Sequence, residues 1–188
     1  MQNLLRCVVL AGTVSWAGCA EKSPSPGTVN ASNGSVSFSP TNAAAPSSGW
    51  SPNQAQPKLK TTKLYIGPEV ITAELALTEP QVRTGMMFRT SMKEDEGMLF
   101  VFAYPHRTAF YMKNTTVPLT AAYIDPDGTI LELVDLHPKV ETPVEAASDN
   151  IQFVLEMNRD WFKRHNISTG AVISTEFGPL RKMFGPRR

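Results

Sequence analysis

GMLFVFAYPHRTAFYMKNTTVPLTAAYIDPDG, residues 97–128, is the longest apolar-rich passage beyond the N-terminus. Gly97 opens a continuous apolar run, Met98 to Phe102, which predicts a strand covered on both faces. Tyr104-Pro105-His106 is a turn, and a second strand is expected over Thr108–Lys113. Asn114 to Pro118 form a bend, because the residue before a proline, here Val117, is driven toward extended backbone. A third strand, Leu119–Ile124, runs into Asp125-Pro126-Asp127-Gly128, a hairpin turn with glycine at the left-handed position. Ile130, Glu132 and Val134 then alternate with Leu131, Leu133 and Asp135 on the returning strand.

The flanks continue the pattern. Upstream, Ile71, Ala73, Leu75 and Leu77 alternate with Thr72, Glu74 and Ala76, the period of a half-buried strand. A short helix follows, with Thr78 as cap, Pro80 in the first turn and Gly85 as stop. Met86-Met87-Phe88 is an apolar plug between Arg83 and Arg89. Downstream, residues 137–149 are a polar excursion and Ile151–Met157 is a strand. Asn158 is placed to cap a helix over Arg159–His165, Asn166 to end it, and Ala171–Phe177 to close the domain as a strand. No βαβ alternation is present. The expected class is α+β, mainly β: one domain of six or seven mostly antiparallel strands curling toward a small barrel, with two short helices.

The N-terminal third has a different character. Arg6, the apolar Cys7–Val14 and the small residues Ala17 and Gly18 make an export signal over residues 1–20. Trp16-Ala17-Gly18-Cys19 resembles the lipobox of bacterial lipoproteins, with Cys19 lipidated; plain cleavage after Ala20 is the alternative. The apolar core is too short to span a bilayer, which takes about 20 residues. Cys7 and Cys19 are the two cysteines of the chain, so the expected mature domain has no disulfide, thiolate metal site or thiol nucleophile. Residues 21–60, rich in Pro, Ser, Asn and Ala, are expected to be a disordered tether reaching about 35 Å. The β-rich domain is expected over 61–178, and 179–188 as a basic tail carrying Arg181, Lys182, Arg187 and Arg188.

Eighteen basic and seventeen acidic residues give a net charge of +1, which offers nucleic acid no bulk attraction. The expected location is the cell envelope, the domain facing the periplasm or exterior and held to the membrane by lipid.

Several blocks carry a family resemblance. They are Arg83-Thr84-Gly85-Met86-Met87-Phe88-Arg89, Glu94 to Phe102, Phe110 to Thr115 with Pro118-Leu119, Ile124 to Gly128, and Val154 to Asn158 with Trp161 and Arg164 to Ile167. In this order and spacing they resemble the domain-of-unknown-function 192 family, over residues 70–175. The resemblance implies a β-rich domain, often exported, whose biochemical role the family name leaves open. The chain departs from the family pattern at Tyr111 (usually Trp), Thr120 (Asp), Asn166 (Gly) and Ala171 (Asp). Loss of two carboxylates weakens any acid–base or metal role carried over to those positions.

The chemistry is sparse. His106, His137 and His165 have no ligand spacing, so no metal site or cofactor is expected. No phosphate-binding glycine loop and no serine elbow stand out. Asp125 and Asp127 are explained by the turn, and the methionines by core filling. Lys113-Asn114-Thr115, following aromatic Phe110 and Tyr111, is the best candidate: an ammonium, an amide and a hydroxyl suit an anionic or polyhydroxyl ligand. Arg83, Arg89 and Glu156 join the set if folding gathers them. The same residues have a structural account, with Lys113 paired to Glu156 or Asp125 and Asn114 bonding its own backbone. The expected function is a small-ligand module for a saccharide or anion. The alternatives are an interaction domain for an envelope protein and an enzyme using Lys113 in a dry cleft.

Overall fold

The structure is a computed structural model describing residues 52–185. The expected export signal with Cys19, most of the expected tether and the last three residues lie outside the described residues. Ten strands and three short helices follow in order: β1 (Thr61–Ile66), β2 (Glu69–Ala76), α1 (Glu79–Thr84), β3 (Glu96–His106), β4 (Ala109–Phe110), β5 (Leu119–Ile124), β6 (Ile130–Leu136), β7 (Val144–Glu145), β8 (Ile151–Asn158), α2 (Trp161–Arg164), β9 (Ile173–Thr175), β10 (Gly178–Pro179) and α3 (Leu180–Phe184).

Eight strands form one sheet in the order β10-β9-β1-β2-β3-β8-β5-β6, while β4 and β7 make a separate ribbon. All pairs are antiparallel except β2 with β3, which run parallel because α1 and its loops carry the chain back. The sheet curls until the segment leading into β9 meets the start of β6. Ile130 N donates to the Ala171 carbonyl and Ile173 N to the Gly128 carbonyl, at 2.9 and 2.8 Å. This contact amounts to one isolated bridge, Thr129 to Val172, so the curl stops short of a closed barrel. Gly128 (φ +93°) is required there twice over: its φ is left-handed, and a Cβ would lie 2.5 Å from the Ile173 carbonyl oxygen. Asp125 Oδ1 accepts from the amides of Asp127 and Thr129, as a turn carboxylate does.

Alternation along the strands feeds two apolar layers. Leu64, Ile71, Leu99, Ala122, Phe153, Leu155 and Met157 fill the inside of the curl with Trp161 and Phe162. Met98, Phe100, Ala121, Tyr123 and Val154 face outward, beneath Met86, Phe110, Met112 and Val117. Burying each large apolar side chain contributes about 1.5–3 kcal/mol, so both layers are needed to hold the sheet.

Several local expectations change. The additional strands are β1, β7 and β10. The strand expected over Thr108–Lys113 shrinks to Ala109–Phe110, because the chain turns away to cover the outer layer. Asn158 ends β8 rather than capping a helix, and its amide donates to the carbonyls of Met92 and Lys93. Residues expected in the tether pack on the domain: Gln56 Nε2 donates to the Gly85 carbonyl at 2.9 Å, and Leu59 N to Glu74 at 2.7 Å. Part of the expected tail is helix α3, with Leu180 fully buried in the inner layer.

Candidate functional site

β8 is buried from Ile151 through Met157, its one acidic residue, Glu156, included. Val154 and Glu156 point to the outer layer by strand alternation. In register, Glu156 stands between Met98 of β3 and Ala121 of β5, and beyond Met98 stands Glu74 of β2. Two interstrand spacings separate the backbones of the two glutamates by about 10 Å.

The two carboxylates have opposite environments. Glu74 receives a two-pronged ion pair from Arg89, at 2.9 and 2.8 Å, and the Leu59 amide. Glu156 is 4% exposed, and its Oε2 is buried without a hydrogen-bond partner. Burial pushes its carboxyl up from 4.5 to about 8, so it holds its proton at neutral pH. Arg89 also keeps a buried Nε with no partner. Nearby on the same face, Tyr123 donates its hydroxyl to the Val144 carbonyl at 2.7 Å. Its acidity is weakened by burial first and then by the charges of Glu132 and Glu156.

Three turns cover this face and are stitched together by backbone bonds. Phe88 N donates to the Asn114 carbonyl, Met112 N to Val140, and Lys139 N to Thr115. Each turn holds a non-glycine residue in left-handed backbone: Phe88 (φ 61°), Asn114 (φ 54°) and Lys139 (φ 63°). Asparagine tolerates that region, but phenylalanine there is strained by about 1–2 kcal/mol. Strained backbone, buried polar atoms without partners and a displaced carboxyl pKa are features that gather at functional sites.

The lysine–amide–hydroxyl trio is divided by its own turn. Lys113 lies outside, 43% exposed, and its nearest acid is Glu141 at 4.0 Å rather than Glu156 or Asp125. Asn114 is half-buried and uses its carbonyl in the cover. Thr115 is buried, with its hydroxyl donating to the Lys113 carbonyl at 3.2 Å. Arg89 belongs to the floor and is tied to the turn by Thr116, whose hydroxyl donates to the Arg89 carbonyl. Arg83 stands on α1, paired with Glu79 at 3.5 Å. Sequence reasoning missed Glu74. It occupies a polar position of an alternating strand, which implies solvent, yet the cover closes over it. The one available signal was Arg89 beside an apolar plug.

Residues 62–175 match the DUF192 family, described as an uncharacterized ACR. A Sinorhizobium meliloti 1021 protein described as a candidate transcription regulator is similar in structure. Its TM-score is 0.61 at 28% identity, covering 64% of this chain and 97% of that one. A Novosphingobium aromaticivorans DSM 12444 protein of unknown function has a TM-score of 0.59 at 30% identity, covering 70% of this chain and 91% of that one. No curated protein matches the chain. With most of the ordered strands inside the matched segment and the blocks around Arg89, Asn114 and Glu156 within it, the chain belongs to the DUF192 family.

Proposed function

We propose that this protein is an exported, membrane-tethered module that binds a small polar or anionic ligand under the Met86–Arg89 and Met112–Val117 turns. The observation that carries this is the buried, partnerless carboxyl of Glu156 on the same face as the partnerless Nε of Arg89. Burying a polar group without a partner costs about 1–3 kcal/mol, and a ligand that pairs with both groups removes that cost. A protonated Glu156 is a donor, as is Arg89 Nε, so the matching ligand presents acceptors: a carboxylate, a phosphate or sugar hydroxyls. Glu156 lies beneath the cover, so binding requires the turn at Asn114 to lift. Lys113, half-exposed on the outside of that turn, would draw an anion toward it. The signal and tether of the sequence supply the envelope location.

A second role, docking of an envelope protein, is favoured by exposed Tyr111 and Val140, which flank the same cover. The enzyme alternative required Lys113 in a dry cleft, and its side chain is 43% exposed. A nucleic-acid partner, suggested by the description of the Sinorhizobium protein, calls for a basic face that a net charge of +1 does not supply in bulk.

The test is a thermal-shift panel of small carboxylates and phosphate on the purified protein. A ligand at a hundredfold its Kd adds about 2.7 kcal/mol of stability. That gain should vanish in Glu156→Met and persist in Arg83→Gln. No response from any compound at 10 mM, or a response that survives Glu156→Met, would overturn the proposal.

A further inference from the structure

The opposite face of the sheet carries a groove that the site above does not use. Thr120, one residue before Ala121 on β5, points to the inner side of the curl. It faces Asp135 of β6 in register, and its hydroxyl donates to Asp135 Oδ1 at 2.7 Å while accepting the Asp160 amide at 3.1 Å. This one hydroxyl therefore ties the Asp135 carboxylate, on the strand, to the backbone of Asp160, at the start of α2, and both residues line a groove of about 530 Å³. That volume falls in the range of small-molecule sites. Lys163, Ser168 and Thr169 complete its polar rim, and Leu133 and Phe162 contribute apolar lining.

We infer that this groove is a second binding site, for a neutral polyhydroxylated ligand such as a sugar ring. Asp135 and Asp160 supply carboxylate acceptors for hydroxyl pairs, Lys163 and the two hydroxyls supply donors, and the apolar lining meets ring C–H groups. Two carboxylates against one lysine disfavour an anion. A divalent cation is disfavoured as well: among the described residues no three His, Cys, Asp or Glu side chains group as metal ligands. The floor at Glu156 thus favours ligands that bring acceptors, and the groove at Asp135 ligands that bring hydroxyl donors, on opposite faces of one sheet.

The experiment uses the full chain with Cys19→Ser for solubility, 15N-labelled and titrated with glucose, galactose, N-acetylglucosamine and inositol. Sodium acetate and calcium chloride serve as competing chemistries. At least one polyol should give saturating amide shifts at Thr120, Asp135, Asp160 and Lys163. Asp160→Asn, at an exposed position where asparagine accepts the left-handed backbone, should weaken binding about tenfold, and Lys163→Met should weaken it too. Glu156→Gln should leave this binding unchanged, which separates the groove from the site beneath the cover. The inference is overturned if no polyol saturates below 50 mM, if shifts survive both groove variants, or if acetate or calcium occupies the groove instead.

Discussion

Replacing Glu156 by glutamine should make the protein more stable, and by an amount that grows with pH. In the unfolded chain the carboxyl titrates at its ordinary 4.5, whereas in the folded protein burial holds it at about 8. Below pH 4.5 both states carry the proton and the group makes no difference. Between 4.5 and 8 the unfolded chain releases the proton and the native state keeps it, so stability falls as pH rises. Each pH unit in that window costs about 1.4 kcal/mol, for a total of roughly 4–5 kcal/mol by pH 8. Above pH 8 the native carboxyl ionises as well and the slope disappears. Glutamine has nearly the same shape, keeps a donor and does not titrate. Urea unfolding of both proteins at pH 5, 6, 7, 8 and 9, extrapolated to water, measures the difference, with every other titrating group cancelling in the subtraction. The variant's advantage should widen by several kcal/mol from pH 5 to pH 8 and then level off. A difference constant to within about 1 kcal/mol across that range would refute the burial argument, because it would mean that water or a partner reaches Glu156.

Two further outcomes test the frame around the site. Arg89→Met should destabilise the protein by about 3–5 kcal/mol, since it strands Glu74 under the cover, and Glu74→Met in the same chain should recover much of that loss; urea titration of the single and double variants decides it. Gly128→Ala should cost about 2–3 kcal/mol and lower the thermal midpoint, because it meets both a left-handed φ and the Ile173 carbonyl where the curl draws together.

Much of the framework is legible from local pattern. Alternation over Ile71–Leu77, the apolar run Met98–Phe102 and the Asp125–Gly128 turn each correspond to observed elements, because period and turn chemistry act over a few residues. Glycine at 85 and asparagine at 166 end their helical turns in left-handed backbone, as their residue types imply. β1 was missed. Thr61–Ile66 alternates and falls inside the expected domain, but it follows directly on a proline-rich stretch and carries no strand in the sequence reading. Helix α3 was missed because its basic residues read as a solvated tail, while Leu180, Met183 and Phe184 pack it on the inner layer.

The candidate site was only half legible. Glu156 and Arg89 were named as possible members, but Lys113 drew the attention that belonged to Glu74. A polar residue in an alternating strand means solvent only when the second face of the sheet stays open, and here segments 86–89, 110–117 and 140–146 close it.

Strand period and turn glycines are properties of neighbouring residues, and they are present in the chain before it folds. The contrasting environments of two glutamates on one sheet face are not local properties. Whether a carboxyl keeps its proton depends on how much water and countercharge surround it. At Glu156 that was decided by the distant turns that came to rest above it, and by the fact that Arg89 is spent on Glu74 instead.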